Sequence, residues 1–401
     1  MPQNRGPSLV MNSSQKRSIL LRSSWQTINI GDIAHTPGVL TLLEKYLPGV
    51  EVRLWASDVG RGVRDMLQRR FPNVEIFQHS DRDRIQAAFD ECDFMLHGSG
   101  PYVVAANHLD RWKQETGKPY GIYGVSLPWR STDESILNTL NHSEFVFFRD
   151  TVSMEFARLR GAEAPVMEFG PDGAFAVDLR NDEAAETFLA ENGLEEGQFL
   201  CVIPRYRWVP EWTIPSKNKE KIDRLDQVNQ RLKEHDHKPY RDAIAAVVRQ
   251  SSMKVLICPE DMTQIQLGKE MLYDPLPDDV KERVVWRDHF WITDEALSTF
   301  VRSAGVFGLE QHSPIMCIGN GIPAFVGRFL QQGTKGYMWN DIGLAQWMFD
   351  SDSQFDMQRL IPNVLALANQ PGQTKAKAMQ AKQYVEKYQE MTMQVLRETL
   401  A

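Results

Sequence analysis

Three side chains in this sequence are the candidates for moving protons. They are Asp32, in Asn29-Ile30-Gly31-Asp32, and Glu310 and His312, in Gly308-Leu309-Glu310-Gln311-His312-Ser313-Pro314. A histidine near a helix start, facing a cleft, can act as acid or base near neutral pH. Asp32 can orient or deprotonate a hydroxyl, while Asn29 and Gly31 open a turn whose helix-start N–H groups can meet an anion or a sugar hydroxyl. Arg149, at a strand end in Phe148-Arg149-Asp150, offers a planar, two-pronged grip on carboxylate or phosphate, as do Arg205 and Arg207 in Arg205-Tyr206-Arg207-Trp208. Trp208 can stack on a sugar ring, and His289 lies in a second aromatic patch, Trp286-Arg287-Asp288-His289-Phe290-Trp291. His97 and Ser99, in His97-Gly98-Ser99-Gly100, sit where glycine lets a ligand approach the backbone.

Each of these has a purely structural alternative. Asp32 can cap a turn. Arg149 can pair with Asp150 next to it. Arg205 and Arg207 can lie in solvent or stack on their aromatic neighbours, and His312 can be satisfied by local backbone. Gly170-Pro171-Asp172-Gly173 reads first as a tight turn. His235 and His237 flank Asp236 without metal-ligand spacing, so no metal site is expected. The sequence has no P-loop, no GxSxG elbow and no GxGxxG fingerprint.

The elements that would position these residues follow an α/β rhythm. Buried strands are expected at residues 18–22, 51–55, 93–97, 120–125 and 144–148, with helices at 38–46, 63–70 and 151–159 between and after them. Strands separated by helices imply a parallel sheet with right-handed crossovers. Near residues 180–197 the composition turns small and acidic, and a second series begins. Its strands are expected at 199–204, 254–258, 284–286, 305–308 and 324–326, with helices at 239–249 and from about Ser313. Four segments result: a disordered lead at 1–17, a Rossmann-like domain at 18–190 on the acceptor side, a second at 191–370 on the donor side, and a long amphipathic helix at 371–401 packing across both or pairing in a homodimer. The stretch 206–238 is too long for an ordinary connection and suggests a lid or a solvated excursion.

The net charge of −8 argues against nucleic acid as a partner, because phosphate-backbone binding needs a basic surface. No run reaches the ~18 apolar residues of a membrane span. Cys92, Cys201, Cys258 and Cys317 lie in or beside apolar runs, without CxxC spacing. Free buried thiols and a reducing cytoplasm are expected.

Taken in order, Asn29-x-Gly31-Asp32, Gly98 and Gly100 after a strand, Arg149-Asp150-x-x-Ser153, Asp172-x-Ala174-Phe175, and His312 followed by Gly321-x-Pro323 resemble the polysaccharide pyruvyltransferase family over about residues 18–330. The resemblance implies a GT-B-like pair of Rossmann-like domains facing across a cleft. It implies transfer of pyruvate from phosphoenolpyruvate to an oligosaccharide or polysaccharide as a cyclic ketal, with no metal or organic cofactor. His312 would be the acid, Asp32 would assist the hydroxyl, and Arg149, Arg205 and Arg207 would hold the donor's charges. The family commonly has an arginine two residues before the histidine, where this chain has Glu310. Exchanging a cation for an anion there weakens the case for a trianionic donor. Two alternatives stay open: a glycan hydrolase on the same fold using Glu310, where carboxylates serve as acid and base, and a non-catalytic glycan-binding protein.

Overall fold

The computed structural model describes residues 17–129 and 132–401, so the expected disordered lead falls almost wholly outside the described residues. The first half is a seven-stranded parallel sheet of β1 (Ser18–Ser23), β2 (Glu51–Ala56), β3 (Glu75–Gln78), β4 (Phe94–His97), β5 (Tyr120–Val125), β6 (Val146–Phe148) and β7 (Met167–Phe169), in the order β3-β2-β1-β4-β5-β6-β7. The second is a six-stranded parallel sheet of β8 (Phe199–Ile203), β9 (Lys254–Ile257), β10 (Val284–Trp286), β11 (Gly305–Gly308), β12 (Ala324–Arg328) and β13 (Met348–Asp350), in the order β10-β9-β8-β11-β12-β13. Central strands such as β4 (FMLH) and β8 (FLCVI) are buried along their whole length. That is the behaviour of a parallel sheet covered by helices on both faces. Two such sheets with alternating helices make the expected GT-B-like architecture.

Each sheet reverses its strand order once, between β1 and β4 and between β8 and β11. At such a point the crossovers leave to opposite faces and the loops splay apart, which makes a crevice at the carboxyl ends of the strands. The two crevices face each other here. Backbone hydrogen bonds tie them, from Ile30 N–H to the Glu260 carbonyl (2.9 Å) and from Met262 N–H to the Ile28 carbonyl (3.1 Å).

Several elements differ from the sequence expectation. The helix after β1 starts at Ile30 rather than Gly38, and carries Pro37 inside it. The Asn29 side chain caps it, accepting from the N–H of Gly31 (2.8 Å) and Asp32 (3.1 Å). The helix expected at 239–249 runs from Asp223 to Gln250, straight through Pro239. Its buried positions fall on both sides of that proline, from Asn229 to Val248, so packing overrides the helix-breaking preference. The excursion is therefore a loop over residues 204–222, with 3-10 turns at Glu211–Thr213 and Pro215–Lys217, followed by a long helix. A helix not expected from the sequence, Asp182–Glu191, lies at the proposed boundary and docks on the second half: Asn181 N–H and Asp182 both bond Ser298, and Asp182 pairs with Arg302.

The C-terminal helix Pro371–Leu400 touches both halves. Tyr388 packs its ring on Phe169 in the edge strand β7 of the first sheet (5.3 Å), Arg397 donates to the Tyr46 carbonyl, and Met379 lies beside Gly321 of the second half. All four cysteines are buried and free. Among the described residues no helix is long and apolar enough to cross a membrane.

Candidate active site

The facing crevices collect the charged side chains. Asp32 and His35 stand one turn apart on the helix capped by Asn29, while Arg205 follows β8 and Glu310 and His312 follow β11. Gly31 is what lets the two sides meet. A Cβ there would lie 2.0 Å from the Cβ of His312, so only glycine admits the histidine.

One group of residues is built around His35. Its Nδ1 lies 2.9 Å from Asp172 Oδ1, and its Nε2 faces Asp32 Oδ1 at 3.7 Å. Asp172 also accepts from Arg149 Nη1 (2.7 Å), Ser99 Oγ (2.8 Å) and Ala174 N–H (2.9 Å). All four of His35, Ser99, Arg149 and Asp172 are fully buried. Burial works against charge on His35, but Asp172 and Asp32 outweigh it and push the imidazole up. Burial likewise opposes the Asp172 charge, and His35 and Arg149 hold that carboxyl well below the usual range. Asp32 is also held low, against burial, by its contacts with His35 and His312.

His312 completes this group. Its Nδ1 lies 3.9 Å from Asp32 Oδ1 and 3.4 Å from Glu260 Oε1. Burial drives its pKa down to about 3, partly opposed by Asp32, so it is a neutral imidazole at neutral pH. It does not carry the proton that the expected acid role requires.

The second group surrounds Arg205, whose Nη1 pairs with Glu310 Oε1; Gln264 Nε2 donates to the same oxygen at 2.5 Å. At the position where the resemblance implies an arginine, the chain thus has a carboxylate that pairs with a cation already present. Burial, with the neighbouring Glu260 charge adding to it, pushes the Glu310 carboxyl up to about 7 against the pull of Arg205. Burial raises Glu260 too, although it accepts from Ser313 N–H at 2.6 Å. Lys335 lies among Asp32, Arg149, Arg205 and Glu310, and burial lowers its pKa.

The backbone of Arg205 is fixed by His237, a histidine set aside at the sequence level. Its Nε2 accepts from Arg205 N–H (3.3 Å), and its Nδ1 donates to the Lys233 carbonyl (2.6 Å). Only the neutral ring can do both. Burial brings its pKa down to about 4. The unfolded chain, with a histidine near 6.5, therefore binds the extra proton first as pH falls. This contribution to stability is complete above pH ~6.5 and is lost as pH falls towards 4, at roughly 1–3 kcal/mol in all. Urea unfolding at pH 7.5 and 5 should show a shallower pH dependence in His237→Gln than in the parent; equal slopes would remove His237 from this role.

Beside these groups, sharing only Lys335 and the Arg149 partner Ser126 with them, opens a cleft of about 680 Å³. Tyr102 and Trp129 from the first half and Trp208, Leu330 and Tyr337 from the second line it, with Ser126 and Lys335 also on its wall. Trp129 and Leu330 are 59% and 72% exposed, so apolar surface faces an open space of sugar size.

The expected site residues divide accordingly. Asn29, Gly31, Asp32, Ser99, Arg149, Arg205, Glu310 and His312 converge, and Trp208 lines the cleft. Arg207 does not bind there: it forks onto Asp236 (2.7 and 2.8 Å) and also pairs with Asp352, which locks the loop after β8 to its helix. His289 is exposed and bonded only to Asp288 (2.7 Å). It follows the edge strand β10, two strands from the switch point, so it cannot reach the cluster. His97 is buried, stacks on Trp25 and accepts from Ala105 N–H, which shapes the glycine turn instead of meeting a ligand. Sequence reasoning missed His35, Glu260, Gln264 and Lys335. A helical spacing of three from Asp32 was the one signal for His35, hidden while residues 31–36 read as a turn.

The polysaccharide pyruvyl transferase family matches residues 29–326 of this chain, about three-quarters of its length. No characterised protein matches it in sequence. Among solved structures, UDP-GlcNAc 2-epimerase from Neisseria meningitidis, bound to UDP-GlcNAc, is 11% identical with a TM-score of 0.57, covering 95% of this chain and 100% of that one. Anabaena Alr3699/HepE in complex with UDP and glucose is 12% identical with a TM-score of 0.57, covering 96% and 99%. E. coli ADP-heptose lps heptosyltransferase II is 11% identical with a TM-score of 0.51, covering 88% and 99%. At these identities the likeness is one of fold.

Proposed function

Because the chain belongs to the polysaccharide pyruvyl transferase family, we propose that it moves a pyruvyl group from phosphoenolpyruvate onto two hydroxyls of a glycan held in the inter-sheet cleft. The observation that carries this reading is the meeting of two unlike groups at the facing switch points. Asp32, His35 and His312 suit a hydroxyl, and Arg205 and Lys335 suit an anion. The aromatic wall of Tyr102, Trp129 and Trp208 suits the sugar rings.

The chemistry requires one hydroxyl oxygen to bond to C2 of the donor as a proton adds to its methylene carbon. The second hydroxyl oxygen then bonds to C2 as the C2–O bond to phosphate breaks. Of the two hydroxyl protons, one ends in the new methyl group and the other leaves with phosphate. Asp32 and His312, on the acceptor side, would orient the hydroxyls. Glu310, against Arg205, stands beside the donor. Its carboxylate competes with the donor for that cation, which sets the test.

Phosphoenolpyruvate should raise the melting temperature of the protein, and Lys335→Met should weaken its binding at least about tenfold. Glu310→Gln, which frees Arg205, should tighten binding by about tenfold or more. No stabilisation of either the parent or Glu310→Gln by millimolar phosphoenolpyruvate would sink the reading. The hydrolase alternative draws no support from the family match.

A further inference from the structure

Beside Arg149 Nη2, Arg205 Nε and Ser313 Oγ, the buried polar atoms of the site without a hydrogen-bond partner include a set of three: Asp32 Oδ1, His35 Nε2 and His312 Nε2. They belong to residues that each offer one ligand atom within 4.8 Å of the others. An unpartnered polar atom in a dry interior is unfavourable, and three gathered from two halves of a molecule are not accounted for by packing.

We propose that Asp32, His35 and His312 bind one divalent transition-metal cation, and that this cation holds the hydroxyl oxygens of the glycan acceptor. The placing of the hydroxyls rests on the function proposed above; the binding of the cation does not.

The donor set is two imidazoles and one carboxylate. Such a set suits zinc, manganese, iron or cobalt better than magnesium or calcium, which prefer oxygen alone. Asp32 Oδ1 lies 3.7 Å from His35 Nε2 and 3.9 Å from His312 Nδ1. Neighbouring ligands on a cation with bonds of about 2.0–2.1 Å are separated by about 3.3 Å, and the three ligand atoms lie within 4.8 Å of one another, so the side chains need to close by up to roughly 1.5 Å, with His312 turning to present one of its two nitrogens. Three protein ligands leave coordination positions free, as a site that receives a substrate oxygen requires.

The surroundings are those of a ligand shell that is itself held. His35 Nδ1 bonds Asp172 at 2.9 Å, which turns Nε2 towards Asp32. Asp172 is fixed in turn by Arg149 and Ser99. A carboxylate behind a histidine fixes its ring orientation and strengthens it as a donor. His312 is flanked by Glu260 at 3.4 Å. Gly31, lacking a Cβ, is what allows His312 to stand over the helix that carries Asp32 and His35. The three ligands come from residues 32, 35 and 312, so no local spacing announces them.

The test uses the full chain, stripped with a chelator and titrated with Co²⁺, read by its visible absorption bands, and with Zn²⁺ by calorimetry. One equivalent should bind, with Zn²⁺ displacing Co²⁺. Asp32→Asn and His312→Gln should each weaken binding at least about tenfold. His289→Ala, at an exposed histidine, should leave it unchanged. Asp32→Asn keeps the shape of the side chain, so it reports on the site even where His35→Ala disturbs folding through Asp172. Absence of saturable binding by the parent would overturn the proposal. So would binding that persists unaltered in Asp32→Asn and His312→Gln, which would assign the cation to surface groups. Cation binding without any effect of phosphoenolpyruvate would leave the site standing and remove the pyruvyl-transfer reading alone; stabilisation by phosphoenolpyruvate without cation binding would do the reverse.

Discussion

Arg149→Ala is expected to lower the unfolding free energy by about 3–5 kcal/mol, measured by chemical denaturation at pH 7. The guanidinium is fully buried, with Nη1 on Asp172 and Nε on Ser126 Oγ (2.8 Å). Its removal leaves Asp172 with one cationic partner, His35, in a fully buried setting. An uncompensated buried carboxylate is among the most destabilising changes a single substitution can make. From sequence alone Arg149 is a donor-binding group, and its loss should then abolish ligand effects on a protein of normal stability. The structure predicts the opposite order: stability falls first, and ligand effects follow. The double variant Arg149→Ala/Asp172→Asn should recover much of the loss, because it removes both charges together. A single variant with a loss under ~1 kcal/mol would show that Asp172 does not depend on Arg149.

How far the molecule could be read from its sequence depends on where each residue lies in the two sheets. The central strands were legible because they are buried on both faces and appear as unbroken apolar runs. The three strands missed, β3 (EIFQ), β7 (MEF) and β13 (MFD), are edge strands of three or four residues, each with a polar or charged position. Asn29, Gly31 and Asp32 were legible because a side-chain cap and a forced glycine leave a local signature. His35 was not, because Pro37 and Gly38 made its helical turn read as loop. Glu260 and Lys335 follow β9 and β12 in loops with no pattern of their own, and only the facing of the two switch points gives them a role. Glu310 was singled out as a departure from the pattern that the resemblance implies. What the sequence could not show is that its charge is met by Arg205 from the neighbouring strand.

Gly38→Ala and Gly319→Ala should each be strongly destabilising despite being conservative substitutions. The short segment Gly173–Ala176 is wedged between the helix Ile30–Tyr46 and the helix His312–Gly319. A Cβ at Gly38 would lie 1.9 Å from the Gly173 carbonyl oxygen, and one at Gly319 would lie 1.9 Å from that of Phe175. Both obstacles are backbone, so no side chain can swing away. In an open helix, Gly→Ala is worth up to about 1 kcal/mol of added stability through propensity. Here the wedge must move instead, and the loss should reach or exceed the top of the ~1–3 kcal/mol range for overpacking. The displaced segment begins beside Asp172, which orients His35, and its neighbours carry Asp32 and His312. Catalytic or cation-binding function should therefore fall in whatever fraction still folds. Gly372→Ala is the control: it lies in the first turn of the C-terminal helix with nothing within 4 Å of the new methyl group, and should leave stability unchanged or slightly raised. If Gly319→Ala unfolds at the same denaturant concentration as Gly372→Ala, the two halves are held less tightly than the wedge requires. The shared site between them would then have to form on ligand binding.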